Sequence, residues 1–334
     1  MDGYRKEYQN KIGVLLTNLG TPKSPTRKDV KKYLNQFLSD KRVVDINRLL
    51  WIPILKLIIL TIRPSRSAKL YQKIWTKEGS PLLVFMHRIK NKIIKILEKQ
   101  NTDYVVEVGM RYGEPSIENA LTKMKESKVS KIIVFPLYPQ AGSPTTSTTL
   151  DEISHVFSKW PWVPELRFIN GYHDNNGYIN ALSKSIENAS KKEGVPEKIL
   201  FSYHGMPKRY LNNGDPYYCF CHKTTRLVAE KLNLNESQYD MSFQSRFGTE
   251  EWLKPYTDKI LIDYARQNIK NVHIISPGFS VDCLETLEEI KIQYLELFHK
   301  NGGKKLYYIP CLNESDDHIK LIKTIIMDNI SGWK

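Results

Sequence analysis

Short apolar runs, nearly continuous and rich in β-branched residues, alternate along this chain with longer segments of helical periodicity. The first set of runs covers residues 12–17, 104–108, 132–137 and 166–169, and the second covers 199–203, 239–243, 272–275 and 306–309. Strands without a polar face are buried on both sides, which is the mark of a parallel sheet covered by helices. Helices are predicted over 82–98, 117–125, 223–232, 258–267 and 283–298, with a last one over 316–330. One plan used twice follows: two doubly wound α/β domains, each with a four-stranded parallel sheet. The halves share no evident sequence identity, so the repeat is architectural. The turn-rich cluster GYHDNNG at 171–177 marks the boundary. The expected domains are 8–171 with 313–334, and 172–312.

In such sheets ligands sit beyond the carboxyl ends of the strands. That rule selects Asn18-Leu19-Gly20, Met110-Arg111-Tyr112 and Tyr138-Pro139-Gln140 in the first domain. In the second it selects His204-Gly205-Met206-Pro207, Gln244-Ser245-Arg246 and Pro277-Gly278-Phe279. All are expected to converge on one cleft. No GxGxxG turn or P-loop is present, so a dinucleotide or nucleotide triphosphate site has no support.

His204 ends an apolar strand, where a histidine can serve as base or metal ligand, or merely bond a backbone group. Glu285 shifts the balance. It opens the helix that follows Pro277, with Asp282 placed like an N-cap three positions earlier. Glu285 and Glu289, four apart on one helix face, repel one another in an isolated helix. Such a row at a cleft suits cations or protons. Glu288 is expected to be a solvated neighbour. Cys219 and Cys221 open like a metal site, but zinc and iron–sulfur sites need about four ligands and the other cysteines are far off in sequence. Ordinary thiols on a loop are expected. The hydroxyl-rich 143–149 lacks a nucleophile elbow and reads as a helix start or an anion-contacting loop.

The chain has 334 residues and a net charge of +14. The lysines are scattered and no basic block appears, so a general attraction for anions is expected and nucleic acid is not. Residues 49–62 (LLWIPILKLIILTI) are too short to span a bilayer and are interrupted by Pro53 and Lys56. Core packing is the first reading of this segment, with a lip around an apolar ligand, or shallow membrane contact, beside it. The polar N-terminus runs straight into the first strand, so no targeting peptide is read there, and the few cysteines suggest a reducing cytoplasm.

At these residues the chain resembles the ferrochelatase family over nearly its whole length. The agreement is carried by LFSYHGMP (200–207), GDPYYC (214–219) and PGFSVDCLETLEE (277–289), supported by TNLGTP (17–22), GMRYGEPS (109–116) and SFQSRFG (242–248). The resemblance implies two Rossmann-like domains of chelatase type around a porphyrin cleft, with the final helix on the first domain. It implies insertion of Fe(II) into protoporphyrin IX with release of two protons, the last step of haem synthesis. His204 and Glu285 fall on the family's catalytic and metal-site positions, with Glu289 and Asp282 as candidates for the proton or metal route. Leu19, Tyr71, Arg111, Tyr112 and Phe279 fall on porphyrin-binding positions. No cofactor is expected beyond Fe(II) as substrate, and no iron–sulfur cluster. Expected partners are porphyrin and iron, an upstream porphyrin-producing enzyme, and the inner face of the cell membrane as a peripheral contact.

Departures are Cys283, where some members carry a second histidine, and Gln293, where some carry another carboxylate. Alternatives are a coproporphyrin III ferrochelatase, a cobalt or nickel tetrapyrrole chelatase and, in a different class, a non-catalytic haem or porphyrin carrier.

Overall fold

In the computed structural model, which describes residues 11–100 and 102–333, both sets of apolar runs form parallel sheets. In the first unit β1 (Ile12–Thr21) lies between β2 (Tyr104–Gly113) and β3 (Lys131–Pro136), and β4 (Glu165–Phe168) flanks β3. In the second unit β5 (Lys198–His204) lies between β6 (Tyr239–Gln244) and β7 (Asn271–Ile275), with β8 (Lys305–Ile309) outermost. The two strand orders are the same. Each sheet has a central first strand from which the chain departs to one side and then the other, which is where such folds bind ligands.

Burial drives both sheets. Val14, Leu15 and Leu16 of β1, and Leu200 and Phe201 of β5, are fully enclosed. On the first sheet Leu15, Ile132 and Val134 pack with Ile117, Leu121 and Met124 of the Ile117–Glu126 helix. On the second, Leu200, Val272 and Ile274 pack with Leu261, Ile290 and Phe298. Each such side chain contributes about 1.5–3 kcal/mol relative to exposure.

The first unit comprises the chain up to Leu137, Ser143–Gly171 and the chain from Glu314 onward. The second comprises Tyr138–Gly142 and Tyr172–Asn313. Residues 138–142, expected in the first domain, join the second because Gln140 Nε2 donates to Thr224 Oγ1 at 2.9 Å and Tyr172 N donates to Pro139 O at 2.8 Å. The expected domain start at residue 8 and the N-terminal heptapeptide lie outside the described residues. The Asp316–Asn329 helix packs in the first unit, where Lys131 Nζ donates to Trp333 O at 2.8 Å.

Several helices depart from expectation. Tyr217–Lys231 begins ahead of the predicted 223, because the Asp215 carboxylate accepts the Tyr217 N–H at 3.0 Å and Pro216 precedes the first turn. Cys219 and Cys221 therefore ride on a helix, not a loop. The helix predicted over 283–298 is a π-helix over Glu285–Tyr294, continuing as α only over Leu295–Lys300. Residues 49–62 are not a core segment. They belong to the Arg48–Ile54 helix, a π turn over Leu55–Ile59 and the Leu60–Ile74 helix; Trp51, Leu55 and Leu60 are buried, but Leu49, Leu57 and Ile62 are 86%, 74% and 69% exposed. Among the described residues no helix is long and apolar enough to cross a membrane.

Candidate functional site

The second unit gathers its chemistry at the ends of β5 and β6. His204 is the last residue of β5, and its Nδ1 lies 2.7 Å from Gly205 O. A carbonyl only accepts, so Nδ1 carries the proton and the neutral ring keeps its lone pair on Nε2. The backbone beneath is tight: Gly205 N donates to Gln244 O at 2.8 Å, and a Cβ on Gly205 would stand 2.5 Å from that oxygen. Glycine is required for the close approach. Tyr217 Oη donates to His204 O at 3.0 Å, and the Phe279 ring lies 6.3 Å from the imidazole.

The π-helix supplies the acids. Glu289 Oε1 accepts Ser245 N at 2.8 Å and Tyr294 Oη at 2.9 Å, and its Oε2 accepts Ser245 Oγ. Ser245 makes this grip from a left-handed backbone, φ +63°. Burial pushes the Glu289 carboxyl up, Glu285 pushes it further, and the Ser245 and Tyr294 bonds, with His204 whenever its ring is protonated, only partly oppose this. His204, Glu285 and Glu289 are thus within electrostatic reach of one another. Glu289 has neutral hydrogen-bond donors but no Lys or Arg among them. Glu285 lies beside the Cys283 thiol, which its charge and burial push up.

Two expectations on this helix are corrected. Asp282 does not cap the backbone: it is buried, Oδ1 accepts Thr286 Oγ1 at 2.8 Å and Tyr308 Oη, and Oδ2 accepts Asn313 Nδ2 at 2.7 Å. Glu288 is not solvated. It is 1% exposed and its carboxylate accepts from Gln293; Thr286 and Ile290, each two residues away, and Tyr294 of the same segment are buried too, so the helix is enclosed on more than one face.

The corresponding strand ends of the first unit hold Arg111 and Tyr112. Arg111 Nη2 donates to Asp40 Oδ2 at 2.7 Å, Nη1 to Glu152 Oε2 at 2.9 Å and Nε to Thr148 Oγ1 at 2.8 Å. Tyr112 Oη donates to the same Asp40 oxygen at 2.9 Å, as does Thr148 Oγ1. Burial would raise the Asp40 carboxyl, but its bonds from Thr148, Arg42 N and Tyr112 and the Arg111 charge hold it below the usual range. Tyr71 is buried edge-on to Tyr33 and Trp75, and Leu19 is half-buried.

Sequence reasoning singled out His204, Glu285 and Glu289 and placed Gly205, Gln244 and Ser245 at the strand ends, but it did not see that these hold the site, and it missed Tyr294. A signal existed in SFQSRFG, which runs off the end of β6. Cys219 is exposed and Cys221 buried on one helix. Among the described residues no three His, Cys, Asp or Glu side chains gather as a ready metal cage.

The Ferrochelatase family model matches residues 11–330. The protein named Ferrochelatase of Nitrosococcus oceani is 48% identical over 330 residues, covering 99% of this chain and 90% of its own length. Ferrochelatase 2 of Shewanella oneidensis is 48% identical over 318 residues, covering 95% and 97%. Among solved structures, SirB from Bacillus subtilis with Fe3+ gives a TM-score of 0.57 at 12% identity over 96% of both chains. CbiX, described as the terminal enzyme for biosynthesis of siroheme in denitrifying bacteria, gives 0.51 at 13% identity, over 96% of this chain and 100% of its own. At these identities the structural likeness is one of fold.

Proposed function

The chain belongs to the ferrochelatase family, and on that premise we propose that His204, Glu285 and Glu289 carry out its insertion of Fe(II) into a porphyrin. The reaction removes both pyrrole N–H protons and replaces them with iron–nitrogen bonds. A proton acceptor and loosely binding oxygen ligands are what this chemistry requires. His204 Nε2, with its lone pair fixed by the Nδ1 bond to Gly205 O, takes the two pyrrole protons one after the other, releasing the first to solvent before it accepts the second. The charge of Glu289, felt at His204, stabilises the imidazolium that forms. Glu285 meets the metal. The observation that carries this reading is Glu289, a buried carboxylate held by neutral donors beside a histidine.

Asp282, committed to three donors, anchors the helix instead of forming part of a route. Phe279 in the second unit and Leu19 in the first are proposed porphyrin contacts, and Arg111, Tyr112 and Tyr71 are proposed to stiffen the first unit around its strand ends. Protoporphyrin IX is the proposed porphyrin, and the reaction is proposed to need no resident cofactor.

The test is the absorption spectrum of protoporphyrin IX incubated anaerobically with Fe(II) and the protein. The free-base bands give way to a haem spectrum with the intact protein and persist with His204→Ala and Glu285→Gln. Equal rates in either variant remove that residue from the reading. Porphyrin that binds to the intact protein but stays unmetallated returns the chain to a carrier. Coproporphyrin III in the same assay decides the side chains.

A second reading concerns where the protein works. The exposed Leu49, Leu50, Leu57, Ile58 and Ile62 adjoin a hollow lined by Lys28, Lys31, Lys32 and Lys56. We propose that this face rests on an anionic membrane, with apolar side chains in the headgroup boundary and lysines on the phosphates. Cosedimentation with phosphatidylglycerol vesicles, lost in Leu49→Asp/Leu57→Asp, supports it; equal binding by that variant refutes it.

A further inference from the structure

Below the proposed acids runs a chain of side chains that never reach the surface. Ser202, Ser242 and Thr257 are fully buried and Gln244 is 1% exposed. Gln244 Nε2 lies 2.9 Å from the backbone oxygen of Glu285, and Gln244 Oε1 lies 2.8 Å from Ser202 Oγ. Ser202 Oγ lies 2.9 Å from Thr257 Oγ1, which lies 2.8 Å from Ser242 Oγ.

The direction of every bond follows from one end. Glu285 O can only accept, so the amide nitrogen of Gln244 must face it and the amide oxygen must face Ser202. Ser202 then spends its only hydroxyl proton on Gln244. Thr257 must therefore donate to Ser202, and Ser242 to Thr257. The result is a one-way chain, Ser242 to Thr257 to Ser202 to Gln244 to Glu285, in which each bond polarises the next. No member can turn without leaving a buried group unsatisfied, at a cost of about 1–3 kcal/mol. The same Gln244 accepts Gly205 N through its backbone oxygen. One residue thus ties the strand bearing His204 to the first turn of the helix bearing Glu285 and Glu289.

We propose that Gln244 is a positioning residue for metal insertion: oriented by the buried hydroxyl chain, it fixes the Glu285 turn of the π-helix relative to His204. The π-helix makes such a tie necessary, because i→i+5 winding is uncommon and competes with the α form. Displacement of a catalytic group by about 1 Å is enough to cost about a hundredfold in rate. The proposal rests on the assignment of His204 and Glu285 given above.

The test uses the whole protein, Fe(II) and protoporphyrin IX. Gln244→Leu removes both amide bonds and is expected to lower kcat by about tenfold to a hundredfold with KM for porphyrin within about twofold. Gln244→Glu adds a readout that general loss of packing would not move. Protonated, its carboxyl donates to Glu285 O and accepts from Ser202 as the amide does; ionised, it has no proton to give. Its kcat, divided by that of the unaltered protein at each pH, is expected to rise at least about fivefold from pH 8.5 to 6, since burial raises a carboxyl into that range.

A flat ratio, or a Gln244→Leu variant with unchanged kcat, overturns the proposal. If Gln244→Leu does not fold, the Gln244→Glu ratio alone decides. Glu285→Gln run alongside separates the two layers. An active Glu285→Gln refutes the site assignment, whereas an inactive one beside a normal Gln244→Leu refutes only the positioning role.

Discussion

The two units share a strand order and differ in how they treat charge at the strand ends. In the first, Asp40 and Glu152 close on the Arg111 guanidinium, with Thr148 and Tyr112 completing the shell. In the second, Glu289 receives only hydroxyl and amide donors. A carboxylate paired with a guanidinium is spent on structure. One held in place by neutral groups alone is left for a cation or proton to answer. A single topology thus yields a closed ion-pair shell at the strand ends of one unit and the proposed reacting centre at those of the other, and the choice lies in which cation is built in.

The largest effect expected is on activity and comes from the second unit. His204→Ala lowers kcat for iron insertion by about 10²–10⁴-fold, the usual worth of a positioned proton acceptor, with the fold intact by circular dichroism. Next is stability in the first unit. Asp40→Ala leaves Arg111, Tyr112 and Thr148 without their shared acceptor and costs about 3 kcal/mol in urea unfolding, with retained Fe(II) insertion in the fraction that stays folded. Unchanged urea stability in that variant breaks the comparison.

The two carboxyls also impose opposite pH slopes. Asp40 is lowered in the folded chain, so its contribution is present above the unfolded value of about 3.9 and lost as pH falls through the lowered one. Glu289 is raised, so stability is full below the unfolded value of about 4.3 and declines as pH rises through the raised one. The smallest effect follows from that sign: Glu289→Gln is more stable than the unaltered protein at pH 7 and little changed at pH 4, while its metal insertion falls. Thermal unfolding at the two pH values reads it, and a gain of the same size at both contradicts the assignment.

Both sheets were legible in the sequence because the strands β1, β3, β5 and β7, buried on both faces, carry few polar positions to confuse the period. His204 was legible for the same reason, as the polar residue that ends such a run. The helix over Arg27–Ser39 was not, since lysines dilute its apolar stripe and only Val30, Tyr33, Leu34 and Leu38 are buried. The π winding left no mark, because a charged and apolar mixture reads equally well at 3.6 residues per turn; Glu288 was misplaced because charge alone does not show that a helix is enclosed on more than one face. Gln244 and Ser245 act on partners 41 and 44 residues away, a distance at which local pattern carries no information. The exposed strip around Leu57 shows the converse failure, since apolar composition alone does not reveal that a run faces outward.

The π-helix has a consequence for inheritance. Loss of one codon in a surface loop is usually absorbed, because loops tolerate changes of length. The same loss within Glu285–Tyr294 lets the segment settle into ordinary i→i+4 bonding while Phe298 stays anchored in its core. Such a lineage would keep a folded product with the acids turned out of register. The number of residues in this stretch therefore sets the register of the acids as directly as their kind does.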